Sequence, residues 1–280
     1  MKARAARRYW DLARYAGLTL FAIPWIVVPI WLVLVNSFKM AGEAAALNLS
    51  WPTEWSFVEN YMTVLVQGNY LRALTNSLLV SAPTILVVVL IGAAAAWAFG
   101  RSRSKAMQFA YYVIALSILV PPSLIPTIYV LRDLDLSGST IGYILVLIGT
   151  RMGVVVFLAT GFVRATPTDI EDAARMDGAN RLQIFVLIML PLLAPVLFVG
   201  SVILMITVWG DFFFATFLLP GTARATLPLA LYSFATSSVQ SFRWNLVFAH
   251  VVMSSLPLIV AYAFIQRRVI GGLTEGALKG

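Results

Sequence analysis

The sequence lacks several residues and motifs on which common protein chemistries depend. It contains no cysteine and one histidine, His250. Disulfides, thiolate catalysis and iron–sulfur clusters are therefore excluded, and a metal site built from histidines has too few ligands. The motif Gly-x-x-x-x-Gly-Lys-Ser/Thr, whose backbone cradles nucleotide phosphates, is also missing. We expect a chain that is not an enzyme, has no ATPase site of its own and binds no cofactor or metal.

Charged side chains are scarce as well. They make up 11% of the 280 residues, whereas apolar residues make up 60% and the mean hydropathy is +0.88. A soluble domain carries roughly 25% charged residues. This composition is typical of an integral membrane protein.

Six apolar stretches have about the 20 residues that a helix needs to cross a membrane. They predict an all-α integral membrane protein with six transmembrane helices in a single domain, residues 1–280. The predicted spans are about 17–37, 76–99, 107–131, 141–163, 192–219 and 244–265. The third contains Pro121, Pro122 and Pro126, which fit either a broken helix that lines a path or a simple packing kink.

The 20 lysines and arginines are distributed unevenly between alternate loops. Fourteen lie in the two termini and in the loops after the second and fourth spans, five lie in the opposite loops, and Arg151 lies inside the fourth span. Short loops rich in Lys and Arg stay in the cytoplasm. Both termini and the loop 164–191 are therefore predicted to be cytoplasmic. The net charge of +8 orients the chain in the bilayer and does not indicate a nucleic-acid partner.

The loop 164–191 is predicted to begin with a short helix. Thr166 suits the N-cap, Pro167 suits the first helical position, and Asp169 is placed as a capping-box acid. Gly178 can adopt the left-handed conformation that ends a helix. Because the helix is acidic and an anionic leaflet would repel it, docking to a protein partner and a solvated loop are the two open interpretations.

The stretch 167–191 resembles the EAA signature of the membrane subunits of bacterial ABC importers. In that family, Glu-Ala-Ala is followed by three residues and a glycine, and nine residues later by Ile-x-Leu-Pro, which here is Ile188 to Pro191. Carbohydrate importers carry the form Glu-x-Ala-Ala-x-x-Asp-Gly-Ala. The positions that match this form are Glu171, Ala173, Ala174, Asp177, Gly178 and Ala179.

The resemblance extends over nearly the whole chain. Asn60-Tyr61, Asn76-Ser77 and the tail 271–280 are similar to the smaller permease subunit of a maltose-type importer. The resemblance implies a subunit of the bacterial inner membrane that forms half of an ATP-driven pathway for a sugar or sugar-like solute. The implied partners are a homologous second permease subunit, two cytoplasmic ATPase subunits that carry ATP and Mg²⁺, an extracytoplasmic solute-binding protein and membrane lipid.

In such permeases the EAA helix is a cytoplasmic coupling helix between spans four and five that docks in a groove of the ATPase. By resemblance, Glu171 is the polar anchor of this docking segment and Gly178 makes its turn. Ala173 and Ala174 permit close approach, and Asp177 belongs to the same segment.

A second group of candidate residues surrounds Asp211, in the predicted fifth span. A carboxylate at membrane depth is costly and usually faces a cavity or a partner. Since carboxylates bind sugar hydroxyls and aromatic rings bind sugar C–H faces, Trp209, Asp211, Phe213 and Asn76 are candidates for the translocation pathway. A structural hydrogen bond near the outer edge of the membrane is an equally open interpretation of Asp211.

Other intramembrane residues favour structural roles. Arg151 either pairs with Asp211 or binds backbone carbonyls. His250 is interpreted as a hydrogen-bonded packing residue rather than a proton relay. Three glycines are predicted to permit close helix packing: Gly153, Gly161 and Gly200.

Three alternative functions stay open. A related importer permease could carry a glycerophosphodiester or a polyol. An ion-coupled secondary transporter would need ionisable groups at membrane depth, for which only Arg151, Asp211 and His250 are candidates. A membrane-embedded enzyme would need a cluster of histidines, cysteines or carboxylates at that depth, and the sequence shows none.

The docking interpretation predicts that Glu171→Lys or Gly178→Pro uncouples ATP hydrolysis from transport while the protein still inserts. The first change reverses the charge of the anchor, and the second forces a negative φ where the turn needs a positive one. The measurement is stimulation of the ATPase by loaded solute-binding protein. If stimulation survives both changes, the docking role is wrong.

Overall fold

The computed structural model describes residues 14–15, 17–120, 122–236 and 243–277, with side chains as far as residue 263. Pro121, the basic residues Lys2 to Arg8 and the last three residues of the tail lie outside this description. The helices are α1 Gly17–Ser37, α2 Ala41–Ala44, α3 Phe57–Val66, α4 Tyr70–Arg101, α5 Lys105–Leu116, α6 Leu124–Asp133, α7 Thr140–Ala165, α8 Asp169–Met176, α9 Arg181–Trp209, α10 Phe213–Leu218, α11 Leu227–Thr236 and α12 Trp244–Ala277.

Five helices in the described ranges are long and apolar enough to cross a membrane. They are α1, α4, α7, α9 and the first 20 residues of α12, each with a mean hydropathy of 2.0 or more. A lipid-exposed backbone has to satisfy its own hydrogen bonds, which helices do internally. The prediction of an all-α membrane protein is confirmed.

The predicted third span is two shorter helices separated by an irregular segment. α5 ends at Leu116. The N–H groups of Ser117, Ile118 and Leu119 each donate to the carbonyl three residues earlier, as in a 3₁₀ turn, and not to the carbonyl four residues earlier. Pro122 follows, and proline lacks the N–H that a continuous helix needs. The chain becomes helical again only at Leu124, so the broken-helix interpretation holds for the geometry of this segment.

The predicted fifth span is displaced toward the N-terminus. α9 begins at Arg181, because Asn180 and Gln183 form a reciprocal capping box. It continues through a wide π-helical turn, Ile184–Met189, directly before Pro191, a combination common where proline interrupts a helix. The helix ends at Trp209. Asp211 therefore lies beyond the helix and not inside it.

The chain divides into two compact units. The first is formed by Met1–Leu71 with Ala230–Leu256, and the second by Arg72–Leu229 with Pro257–Gly280.

Buried polar side chains organise the first unit. The side-chain amide of Asn60 on α3 donates to the carbonyls of Ser37 and Lys39 at 2.9 Å each, and Asn245 donates to Asn60 Oδ1 at 2.7 Å. The ammonium of Lys39, which is fully buried, donates to the backbone and side-chain oxygens of Asn48. Since buried polar groups need partners, this network holds the segment after α1 against α3.

The second unit has a continuous apolar core in which α4, α7 and α9 pack together. Its fully buried members include Val88 of α4, Ala159 of α7 and Leu193 of α9. Ala174 of α8 and Ile184 at the start of α9 belong to the same core. α8 is therefore packed into the unit and is not a free loop.

Close packing depends on Gly153 of α7. A Cβ at this position would lie 2.5 Å from Ser117 Oγ and 2.8 Å from the carbonyl oxygen of Ile114, so only glycine permits the approach of α5. Gly200 also has a neighbour within van der Waals reach, whereas Gly161 has open space around it. The packing prediction is confirmed for Gly153 and Gly200 and is wrong for Gly161, which faces outward from the unit.

Gly153→Val should destabilise the protein by about 1–3 kcal/mol, as expected for overpacking, because the carbonyl of Ile114 belongs to the backbone of α5. The midpoint of thermal unfolding in detergent measures this effect. Gly161→Val on the same helix is the matched control and should leave the midpoint unchanged. Equal shifts in the two variants would contradict the packing argument.

Candidate functional site

The EAA-like segment forms the separate helix α8, which begins two residues later than predicted. α7 continues to Ala165, and Thr166 is its C-cap, with the Thr166 hydroxyl donating to the carbonyl of Phe162 at 2.9 Å. The residue before a proline is pushed out of the helical region, and Thr166 is extended, with φ −85° and ψ 128°. Thr168 takes the N-cap position without a side-chain bond. The capping role predicted for Thr166 is wrong.

Glu171, the predicted anchor of the docking segment, is buried within the chain and only 1% exposed. Its Oε1 accepts a hydrogen bond from Nε of Arg101 at 2.7 Å, and its Oε2 accepts one from the indole N–H of Trp97 at 3.0 Å. Both donors lie at the end of α4, one helical turn apart. Removing a carboxylate from water costs several kcal/mol unless it is paired, and these two donors supply the pairing. Glu171 thus ties α8 to α4.

Arg175 forms a second, more exposed contact with the same carboxylate. Its Nη2 lies 3.5 Å from Glu171 Oε2, and its Nη1 donates to Asp172 on the helix surface. The Arg175 side chain is 53% exposed, and exposed ion pairs are worth at most about 1 kcal/mol. Arg101 is therefore the principal partner of Glu171.

The predicted docking residues divide between two faces of α8. Glu171 and Ala174 are turned into the chain, where Ala174 joins the apolar core. Ala173, Asp177 and Gly178 are exposed. The exposed surface of α8 also carries two large apolar side chains, Ile170 at 50% and Met176 at 88% exposure.

Gly178 ends α8 as predicted. Its φ is +85°, a conformation that glycine adopts without the cost that a Cβ imposes. The N–H of Ala179 bonds to the carbonyl of Ala174 at 3.0 Å and that of Gly178 to the carbonyl of Arg175 at 3.1 Å. This pair of bonds is the Schellman arrangement of a helix C-terminus.

Asp211 is the centre of a second buried polar cluster. Its Oδ2 accepts hydrogen bonds from the Tyr143 hydroxyl at 2.8 Å and from the N–H of Ala215 at 3.2 Å. Its Oδ1 lies 3.4 Å from Nη2 of Arg151. The carboxylate thus caps α10 and links it to α7, which is the structural interpretation of Asp211, and Arg151 takes the pairing with Asp211.

Two of the other predicted pathway residues, Asn76 and Phe213, have contacts with parts of the chain other than Asp211. The side-chain amide of Asn76 donates to the carbonyls of Ala223 and Ala225 at 3.1 and 3.0 Å, holding the loop after α10. Phe213 is exposed and contacts the ring of Phe217. Trp209 is the last residue of α9. Their role in a pathway stays a prediction.

His250 is fully buried on α12 between the rings of Tyr70 and Phe234, at centroid distances of 6.2 and 6.0 Å. Aromatic packing surrounds it, as predicted, but neither ring nitrogen has a hydrogen-bond partner among the described residues, so the predicted hydrogen bond is wrong. Within the described residues, no three His, Cys, Asp or Glu side chains are grouped so that they could hold a metal ion.

Most of the chain, including the acidic helix α8 and the end of α4 that binds it, matches one known family. Residues 88–272 match the family described as "Binding-protein-dependent transport system inner membrane component". The chain belongs to this family. The match covers α7, α8 and α9 entirely, and therefore includes Glu171 with both of its principal partners, Trp97 and Arg101.

Curated relatives of this family align with nearly the full length of the chain. The inner membrane ABC transporter permease protein YcjP of Escherichia coli is 30% identical, over 95% of each chain. The diacetylchitobiose uptake system permease protein NgcG of Streptomyces coelicolor is 26% identical, over 99% of this chain and 92% of its own. The maltodextrin transport system permease protein MdxG of Bacillus subtilis is 28% identical over the whole of both chains.

Solved structures show the same fold. A chain of a bacterial ABC transporter involved in the import of the acidic polysaccharide alginate superposes with a TM-score of 0.79, at 23% identity, over 94% of this chain and 97% of that one. A second structure of a bacterial alginate ABC transporter, in complex with an alginate-bound periplasmic protein, superposes with a TM-score of 0.67.

Three residues of the two polar clusters of this family member were missed from the sequence. In the sequence, Arg101 counts only among the charges that set the orientation, and nothing singles out Trp97 or Tyr143. Their partners Glu171 and Asp211 are 70 and 68 residues away in the chain. The sequence indicates only that a buried acid requires a hydrogen-bond donor. It does not identify the residue that supplies this donor.

Arg101→Leu should loosen α8, because it leaves the buried Glu171 carboxylate without its principal cation, and only the exposed Arg175 remains beside it. A hydrogen bond to a charged group contributes about 1.5–3 kcal/mol, so amide exchange in residues 169–177 should accelerate about 10- to 150-fold. Hydrogen exchange measured by mass spectrometry tests this. Arg101→Lys should restore part of the protection.

The matched control is Arg103→Leu, because Arg103 is an exposed cation in the same segment. Its exchange should equal that of the unmodified protein. If Arg101→Leu and Arg103→Leu behave alike, the ion pair does not hold α8 in place.

Proposed function

We propose that this chain is the membrane-spanning subunit of an ATP-driven importer and forms half of the translocation pathway for a sugar or sugar-like solute. The observation that carries the proposal is the family match over residues 88–272. Full-length relatives named for diacetylchitobiose, maltodextrin and melibiose/raffinose/stachyose transport support the carbohydrate class. A glycerophosphodiester or a polyol is the alternative solute.

In the proposed arrangement the chain is one transmembrane domain with six crossings. α5 and α6 together make the third crossing, since their lengths of about 18 and 15 Å sum to the thickness of a hydrocarbon core of about 30 Å. The excess of Lys and Arg on one side puts both termini and α8 in the cytoplasm of a bacterial cell.

We assign the coupling role to α8. One face of this helix attaches it to the rest of the chain, and the other face is proposed to bind a partner. The inward face, Glu171 and Ala174, fastens the helix to α4 and to the apolar core. The outward face presents Ala173 and Met176, with Asp177 and Gly178 at its end, and Ile170 is exposed at the edge of the inward face. A cytoplasmic ATPase subunit is the partner proposed for this surface, on which Met176 is the most exposed side chain, at 88%.

The energy for transport comes from those separate subunits, which bind ATP and Mg²⁺. Closure of two ATPases on ATP pulls the coupling helices of this chain and of a homologous second permease subunit toward each other. The ion pair between Glu171 and Arg101 makes α4 move with α8, because a paired charge in the interior resists separation. The spans then open outward to receive solute from the extracytoplasmic binding protein, and hydrolysis resets them.

A photo-crosslinking amino acid placed at Met176 should capture a P-loop-containing ATPase subunit in membranes that express the complete importer. Met176 is 88% exposed on the proposed docking face. The crosslinked product is identified by peptide mass spectrometry.

Met62, which is 52% exposed on α3, is the control position because α3 belongs to the opposite, extracytoplasmic side in the proposed topology. Crosslinks from 176 that reach only lipid, or equal capture of the ATPase from 62, would refute the assignment of α8.

A further inference from the structure

A cavity of about 700 Å³ lies in the second unit, beside the break between α5 and α6. Residues of the break form one wall, α7 forms another, and Thr207 of α9 reaches it as well. Its volume falls in the range of 300–1,000 Å³ typical of small-molecule sites. Four hydroxyl-bearing residues line it together with apolar side chains: Ser117, Ser123, Thr150 and Thr207.

Arg151 is the ionisable residue in the wall of this cavity. It is the twelfth residue of the 26-residue helix α7, so its Cα lies about 17 Å along a helix about 39 Å long. A charge at such depth is expensive in lipid and in transport proteins marks a substrate or ion pathway. A structural role alone does not require a cavity next to the charge.

The ion pair with Asp211 leaves most of the guanidinium available. Asp211 accepts from one nitrogen, Nη2, at 3.4 Å, while an arginine has five N–H donors. Nε of Arg151 is buried without a hydrogen-bond partner, so contacts with a solute in the cavity fall to the terminal Nη groups. Asp211 itself is 6% exposed, lies behind Arg151 and does not line the cavity, so the cavity meets the positive end of the pair.

The broken helix supplies the second argument. Irregular backbone at membrane depth is tolerated only where protein buries it or where it lines a water-filled space. Ser117 to Val120, Pro122 and Ser123 are exposed in the chain and border the cavity. Discontinuous helices at mid-membrane are also where transporters place their substrate sites.

We propose that this cavity is a solute-binding site of the pathway and that it takes an anionic polyhydroxylated solute, such as a saccharide that carries carboxylates. Arg151 binds the carboxylate, since guanidinium groups match carboxylates in geometry and charge. The hydroxyls of Ser117, Thr150 and Thr207 donate to carbonyls of their own helices, so their oxygens accept hydrogen bonds from the solute's hydroxyls. The apolar wall meets its C–H faces. The proposal rests on the proposed function, because it names the solute class of that importer.

The absence of cysteine allows a direct test on the complete importer. Thr207→Cys places one thiol in the cavity, and Leu145→Cys places one on an exposed part of α7 that does not line it. The thiols are labelled with anionic sulfonatoethyl and cationic trimethylammonioethyl methanethiosulfonate, with each rate normalised to that of free cysteine. At position 207 the anionic reagent should be favoured about tenfold, and at position 145 there should be no preference.

The preference must depend on Arg151. Adding Arg151→Gln should abolish it, and adding Arg151→Lys, which keeps the charge, should retain it. A thiol at position 207 that reacts no faster than the one at 145, or that favours the cationic reagent, would overturn the proposal. So would a preference that survives Arg151→Gln.

Protection from labelling tests the solute class. Trigalacturonate should slow labelling at position 207, and its carboxyl-reduced, neutral counterpart should slow it less. Equal protection by the two, or none by either, would overturn the anionic class. ATP-dependent uptake in the same vesicles is scored separately, because labelling needs no ATP; its loss with the anion preference intact would count against the proposed function alone.

Discussion

The burial of the Glu171 carboxylate is the constraint on which the functional interpretation depends. An acid removed from water must be matched by donors in the interior, and the end of α4 supplies an indole N–H at 3.0 Å and a guanidinium at 2.7 Å. This requirement fixes which face of α8 looks inward. It also leaves Met176 on the opposite face and Ile170 at the edge of the inward face, both exposed.

A related constraint operates at the other end of the second unit. Wherever a helix stops near membrane depth, its backbone groups and any charged side chain need internal partners. Asp211 meets this need by capping α10 and by accepting from Tyr143, and Arg151 is held by the same carboxylate. The two clusters share one principle, a buried acid that fastens a short helix to a long one.

The two clusters also differ in what they leave open. At Glu171 each carboxylate oxygen accepts from a donor of α4, and 19% of the Arg101 side chain is exposed. At Asp211 the cation, Arg151, borders a cavity. The first cluster is the mechanical link of the proposed function, and the second is the back wall of the proposed solute site.

The sequence by itself determined the all-α membrane class, the existence of α8 and its end at Gly178, because these follow from local properties: apolar length, an acidic run and the conformational freedom of glycine. It could not determine the partners of Glu171 and Asp211, the break after Leu116 in place of a kink, or the start of α9 at Arg181. Each of these depends on residues that are distant in the chain or on competition between helix caps. Only the packing of α4, α7 and α9 around them decided the outcome, because the cost of burying a charge is settled by whichever donor the fold brings within reach.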